Sequence, residues 1–220
     1  MTQSRILITG FGPFPGVTEN VSGRLAARLA SSELSLRHHV HAEALPTEWE
    51  YVSTRTRRLL DELRPRLILH LGLNTRARAF RIERSAHNLV AKKQDARGAF
   101  PLRSAILPRG LPRIDTPLPA ARLAKHLRSH GLPAVASRSA GSYLCNFLFY
   151  LSLDWALRQE DRCDVCFVHV PPRTVLCETD LLRGAKLILD YLLARMRDVD
   201  GIELSRPDVM QASRLGLGER

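Results

Sequence analysis

The feature that most limits how this chain can fold is a set of continuous apolar runs, RILITG (5–10), LILHLGL (67–73) and DVCFVHV (164–170), separated by segments of helical periodicity. A strand wetted on one face alternates polar and apolar residues. A strand apolar at successive positions is buried on both faces, which requires helices above and below a mostly parallel sheet. The 220 residues suffice for one such unit with a sizeable core. The expectation is an α/β fold, a three-layer α/β/α sandwich around a mainly parallel sheet. It forms a single domain over 1–220, with a loosely ordered tail from about 200.

Between the runs the pattern predicts a helix over 21–30, a strand over 37–45, and a helix to about Leu63 opened by a capping box, Thr47-Glu48-Trp49-Glu50. Residues 78–110 read as a strand pair followed by a loop. A helix follows from Pro119 to His130, then a short strand over 132–137, an apolar helix over 142–158 and a last helix from Glu178 to Arg197. Sites in such folds gather beyond the carboxyl ends of the strands. Chemistry is therefore expected after Gly10, after Leu73, after Ser137 and near His169.

The N-terminal apolar stretch is too short for a secretory signal, and Asn146, Ser152 and Asp154 interrupt the most apolar segment, so neither export nor a membrane span is expected. Four cysteines (Cys145, Cys163, Cys166, Cys177) without an export signal read as reduced thiols of a cytoplasmic protein. The net charge of +11 invites a nucleic-acid reading. Its arginines are scattered, however, and only RARAFRIER (76–84) approaches a cluster, without a basic and aromatic platform; no nucleic-acid partner is expected. Cys163-x-x-Cys166 with His169 is weak for zinc. On one strand, residues three apart face opposite sides. No metal and no cofactor are expected.

Within SAGSYLCNFLFY (139–150), Cys145 stands near the start of the apolar helix, where free N–H groups and the helix dipole favour a thiolate and can hold an oxyanion. Position alone also fits a first core residue of that helix. His169 ends a buried strand before Pro171 and Pro172. It is either a satisfied core histidine or the base partner of a nucleophile. Glu83, in FRIERSAHN, follows the third strand and is either a surface ion-pair partner of Arg81 or Arg84, or the carboxylate that orients an imidazole. TGFGPFPGVTEN (9–20) lacks the Lys-Ser/Thr ending of a phosphate loop. Its Phe11 and Phe14 either wall a small apolar pocket or pack beneath the loop.

Taken together, TGFGPFPG, the acid of RIERSAHN, SAGSYLCNFLFY and CFVHVPP resemble the pyroglutamyl peptidase I (pyrrolidone-carboxylate peptidase) family of cysteine peptidases, in order and with the 24-residue interval from Cys145 to His169. The resemblance runs from about Ile6 to the last helix. It implies an α/β/α sandwich, often tetrameric and without metal, that removes an N-terminal pyroglutamyl residue from peptides. It implies Cys145 as nucleophile, His169 as base and then acid, and Glu83 as the orienting carboxylate. It further implies Phe11, Phe14 and Tyr143 as walls of the ring pocket, with Asn20 matching the family's asparagine after the loop.

Two departures fall near the expected site. Leu73 stands where the family's Gly-Gln-Ala-Gly-Gly run has glutamine, and Lys93 stands where it has an arginine near the oxyanion, with Arg97 close by. The usual Ile-Pro-Asp-Asn continuation is missing. Lysine lacks arginine's planar fork, so substrate contacts differ even where the core chemistry is kept. The alternatives are a member with another N-acyl substrate or lost activity, and a non-catalytic basic binding protein.

Overall fold

The three apolar runs form the middle of a six-stranded sheet in the computed structural model, which describes residues 5–31 and 38–204, with side chains through 197. β1 (Arg5–Phe11), β3 (Leu67–Leu73) and β8 (Asp164–Val170) lie side by side and parallel, and β2 (His39–Leu45) flanks β1 in the same direction. β4 (Phe80–Glu83) runs antiparallel to β8, and β7 (Ala134–Ser137) runs parallel to β4 at the edge. The order is β2-β1-β3-β8-β4-β7.

Helices α1 (Val21–Ala30), α3 (Ala120–Ser129) and α5 (Glu178–Leu204) cover one face; α2 (Trp49–Leu63) and α4 (Leu144–Ala156) cover the other. The central strands feed both cores in alternation. Leu67, Leu69 and Leu71 of β3 face α1 and α5, while Ile68 packs with α2 and α4. Each large side chain so buried contributes about 1.5–3 kcal/mol relative to exposure. The three-layer expectation therefore holds.

Four local expectations are corrected. The 78–110 region does not form a strand pair: β4 joins the main sheet, whereas β5 (Ser85–His87) pairs with β6 (Arg113–Asp115) in a separate ribbon. Three-residue β6 is too short for a periodic signal. β7 points against the parallel block, so its carboxyl end does not meet that block's active edge; residues 138–143 carry the chain back to it. The capping box at Thr47 does not form. Glu48 is the N-cap without a side-chain bond, Thr47 Oγ1 donates to the Gly12 carbonyl at 3.3 Å, and Asp95 Oδ2 accepts from the Trp49 N–H at 3.0 Å. Helix α5 continues past Arg197 to Leu204, and the remainder of the expected loose tail lies outside the described residues.

Helix α4 is apolar on almost every side because it is enclosed by the sheet, α2 and the β5–β6 ribbon. Its buried polar groups are bonded. Asn146 accepts from the His87 N–H at 2.8 Å and donates to the carbonyls of His87 and Leu89, and Tyr150 donates to the Leu111 carbonyl at 2.7 Å. These bonds fasten the start of the helix to the ribbon. Among the described residues no helix is long and apolar enough to cross a membrane.

Candidate active site

At the carboxyl edge of the parallel block lies a cavity of about 230 Å³, drawing on the ends of β1, β3 and β8 and on the start of α4. Phe11, Leu73, His169 and Cys145 all line it, as do residues 140–143 of the returning loop. Of the four places where chemistry is expected, three are strand ends. The fourth is supplied by the loop after β7 and not by the strand itself.

His169 and Glu83 face the α4 layer from adjacent antiparallel strands. Glu83 Oε1 accepts from His169 Nδ1 at 2.8 Å, with the Glu83 side chain fully buried and the His169 side chain 8% exposed. Arg81 Nε lies 3.8 Å from the same oxygen, and its guanidinium also donates to Ser137 Oγ. Glu83 is thus a buried carboxylate bonded to the imidazole, and it keeps one of the ion-pair neighbours foreseen for a surface residue. Its Oε2 has no hydrogen-bond partner among the described residues. Cys145 lines the same cavity as the imidazole and acts on it electrostatically. Burial alone would push the His169 pKa down, but the neighbouring Cys145 and Glu83 outweigh it and hold the imidazole up at about 9. The imidazole between the Glu83 and Cys145 side chains is therefore protonated near neutral pH.

Cys145 is the second residue of α4, after the N-cap Tyr143, whose side chain makes no capping bond. The first-turn N–H groups beside the thiol are therefore open to an oxyanion. Beneath the sulfur lies Gly72. A Cβ on that residue would stand 3.0 Å from Cys145 Sγ and 2.9 Å from the Phe167 ring, so only glycine lets the Cys145 sulfur settle against β3. The Phe167 ring in turn packs 5.0 Å from that of His169.

The walls come from three segments. Phe11 is buried at the end of β1, and Phe14 sits on a tight turn closed by paired backbone bonds with Val17, with Gly16 at φ +83°. Asn20 lines the cavity, but its amide is occupied. Oδ1 accepts from the N–H and hydroxyl of Ser22, capping α1, and Nδ2 donates to the Gly12 carbonyl. It holds the phenylalanine loop in place.

Tyr143 donates its hydroxyl to the Gln94 carbonyl at 2.9 Å and meets the Trp49 ring edge-on at 5.0 Å; burial, with Asp95 and Cys145 nearby, pushes its pKa up to about 12. Lys93 also lines the cavity, with Nζ 4.8 Å from the Tyr143 ring centroid. Arg97 turns instead toward Glu48 at 3.7 Å and borders the neighbouring cleft, so Lys93 is the basic side chain at this site.

Cys163 and Cys166 do not join the site. Burial pushes both thiols up to about 12, and Cys166 faces the α1–α5 core while His169 faces the α4 side. Three contributors escape sequence reasoning. Gly72 is visible only once α4 is known to cross β3. Thr47 appears as a helix opener, yet it lines the cavity. Asp95 is a buried carboxylate that accepts the N–H groups of Trp49, Arg97 and Ala99, joining the Lys93–Gln94 segment to the start of α2.

Comparison with known proteins gives the family. The family model described as Pyroglutamyl peptidase matches residues 4–196. The pyrrolidone-carboxylate peptidase of Bacillus subtilis is 30% identical over 89% of this chain and 90% of its own. That of Gloeobacter violaceus is 33% identical over 86% and 96%, and pyroglutamyl-peptidase 1 of Mus musculus is 29% identical over 91% and 96%. Among solved structures, a mutant pyrrolidone carboxyl peptidase from P. furiosus superposes with a TM-score of 0.80 at 28% identity, covering 86% of this chain and 98% of that one. The Bacillus amyloliquefaciens pyroglutamyl peptidase I gives 0.73 at 27%, over 84% and 95%. With its family-model match spanning nearly the whole described chain and its relatives covered almost end to end, this chain belongs to the pyroglutamyl peptidase family of cysteine peptidases.

Proposed function

We propose that this chain removes an N-terminal pyroglutamyl (5-oxoprolyl) residue from peptides by acyl-enzyme catalysis, with Cys145 as nucleophile, His169 as acid and base, and Glu83 as the orienting carboxylate. The observation that carries the assignment is the buried Glu83–His169 hydrogen bond behind a small aromatic-walled cavity that His169 and Cys145 line together. The Cys145 thiolate attacks the pyroglutamyl carbonyl carbon, and the α4 N–H groups receive the oxyanion, with Lys93 at the rim. As the C–N bond breaks, the imidazolium gives its proton to the leaving amine, and the acyl group stays as a thioester. Water then passes a proton to His169 and attacks the thioester, releasing pyroglutamate and restoring the thiolate–imidazolium pair.

The substrate's lactam is small and uncharged, which suits a slot walled by Phe11, Phe14 and Tyr143. A free amino terminus is rejected because, among the described residues, no carboxylate lines this cavity to receive its charge. The peptide is the expected partner, with no nucleic acid. The whole chain acts as one peptidase domain in the cytoplasm, and the exposed apolar side chains of Phe100 and Leu102 are consistent with assembly into a homo-oligomer such as a tetramer.

The test is hydrolysis of a pyroglutamyl fluorogenic amide under reducing conditions, beside Cys145→Ala and a panel of other N-acyl amides. Turnover confined to the pyroglutamyl compound and lost in the variant is expected, with an unchanged circular dichroism spectrum. Turnover of another acyl group instead would assign the Leu73 and Lys93 departures to a changed substrate. Activity surviving in Cys145→Ala would overturn the mechanism.

A further inference from the structure

We propose that a buried chain of side chains, Thr9–His70–Ser152, is a positioning device that sets the height of helix α4 over the sheet and so places the Cys145 sulfur against His169. His70 is fully buried in the middle of β3, next to Thr9 of β1 in register. Thr9 Oγ1 lies 2.7 Å from His70 Nδ1, and Ser152 Oγ lies 2.9 Å from His70 Nε2. In the neutral ring one nitrogen donates and the other accepts, and a hydroxyl serves either role, so both bonds are satisfied together. Neutrality is enforced by burial, which takes the His70 pKa down to about 3.

The geometry links this chain to the nucleophile. Ser152 follows Cys145 by seven residues, about two helical turns, so both project from the same side of α4 onto β3. His70 precedes Gly72 by two residues and shares its face. Helix α4 therefore meets one face of β3 at two points, a directed hydrogen bond at His70–Ser152 and a close steric approach at Gly72–Cys145. Apolar packing is tolerant of small sliding, whereas a hydrogen bond weakens steeply with distance and angle. The polar contact fixes the register that the surrounding leucines leave soft, and a displacement of about 1 Å at a reacting atom lowers rates by up to a hundredfold. The inference rests on Cys145 being the nucleophile.

Two near-isosteric variants separate positioning from mere stability. In His70→Gln the side-chain terminus reaches the position of Nε2 and keeps the bond to Ser152. In His70→Asn it stops at the position of Nδ1 and keeps only Thr9. The primary readout is iodoacetamide alkylation of Cys145 at pH 7, resolved from the other three thiols by peptide mass spectrometry. It needs no peptide substrate and stays informative if the pyroglutamyl assignment fails.

His70→Asn and Ser152→Ala are expected to slow alkylation, and kcat with it, by about tenfold at unchanged KM, while His70→Gln stays within about threefold of wild type. Combining His70→Asn with Ser152→Ala should add nothing further. Ile188→Val, which weakens the core on the opposite face of the sheet, lowers Tm without changing alkylation. Equal alkylation rates in the Asn and Gln variants, or a wild-type rate in Ser152→Ala, would overturn the proposal. If His70→Asn does not fold, Ser152→Ala with His70→Gln decides it.

Discussion

Glu83 and His169 meet at 2.8 Å from neighbouring antiparallel strands, and neither side chain has appreciable contact with water. A carboxylate buried in this way has little solvent to compensate its charge, so its stabilisation depends on the imidazole keeping a proton. The pair thus ties the protonation of His169 to folding and, in the proposed mechanism, to catalysis.

The catalytic consequence is an alkaline limit. With Cys145 and Glu83 holding His169 up at about 9 against burial, kcat/KM for a pyroglutamyl amide should fall as pH rises through that value, because the acid for the leaving amine is lost. Glu83→Gln removes one of the two supporting charges. Its alkaline limb should shift to lower pH, and its rate at pH 8 should drop by about tenfold or more. A limb unchanged in the variant would exclude the orienting role.

The same shift makes stability depend on pH. A histidine whose folded value lies above its ordinary 6.5 contributes stability fully below that value and loses it as pH rises through about 9. Thermal denaturation should give a higher Tm contribution from this site at pH 6 than at pH 9.5, and His169→Asn should flatten the difference. A wild-type profile no steeper than that of the variant would contradict this coupling.

Gly72→Ala tests the floor of the site. The added methyl would approach both Cys145 Sγ and the Phe167 ring to 3.0 Å or less, so one of them must move. Overpacking of a tight core costs about 1–3 kcal/mol. The expected result is a folded protein of lower Tm with slowed alkylation of Cys145 and a larger loss in kcat than in affinity. Wild-type alkylation in that variant would show that the thiol does not depend on this contact.

The strands and helices around this floor were legible because their periodicity is strong: RILITG, LILHLGL and DVCFVHV could only be buried strands, and Cys145 could be located at the start of a helix. Sequence alone left Cys145, His169 and Glu83 each with a structural explanation. They come together because β4 enters antiparallel beside β8, a pairing that no local pattern encodes. The capping-box expectation failed for a related reason. Thr47 and Glu50 have the right spacing, but the N–H of Trp49 is taken by Asp95, distant in the chain and brought there by tertiary packing. Close approaches such as Gly72 with Cys145 depend on how a helix crosses a strand, which is likewise invisible along the chain.

Asp95 provides a prediction in which two roles of one carboxylate can be separated. Oδ2 accepts the Trp49 N–H at the start of α2, while Oδ1 accepts the N–H groups of Arg97 and Ala99 at 2.9 Å and shapes the turn after Lys93 and Gln94. The Gln94 carbonyl anchors the Tyr143 hydroxyl, so the turn also supports the pocket wall. Asp95→Asn with its carbonyl oxygen in the Oδ1 position keeps the turn but sets an amide N–H against that of Trp49. It should cost about 1 kcal/mol, the usual loss for a helix cap, and lower Tm by a few degrees at nearly unchanged KM. Asp95→Ala loses both sets of bonds. Its Tm should fall further and KM for the pyroglutamyl amide should rise several-fold, with kcat less affected because the Glu83–His169–Cys145 set does not involve this turn. Measured side by side, equal KM values in the two variants would detach the turn from the pocket wall, whereas a KM increase confined to Asp95→Ala would establish that the buried carboxylate holds Tyr143 in place for the ring.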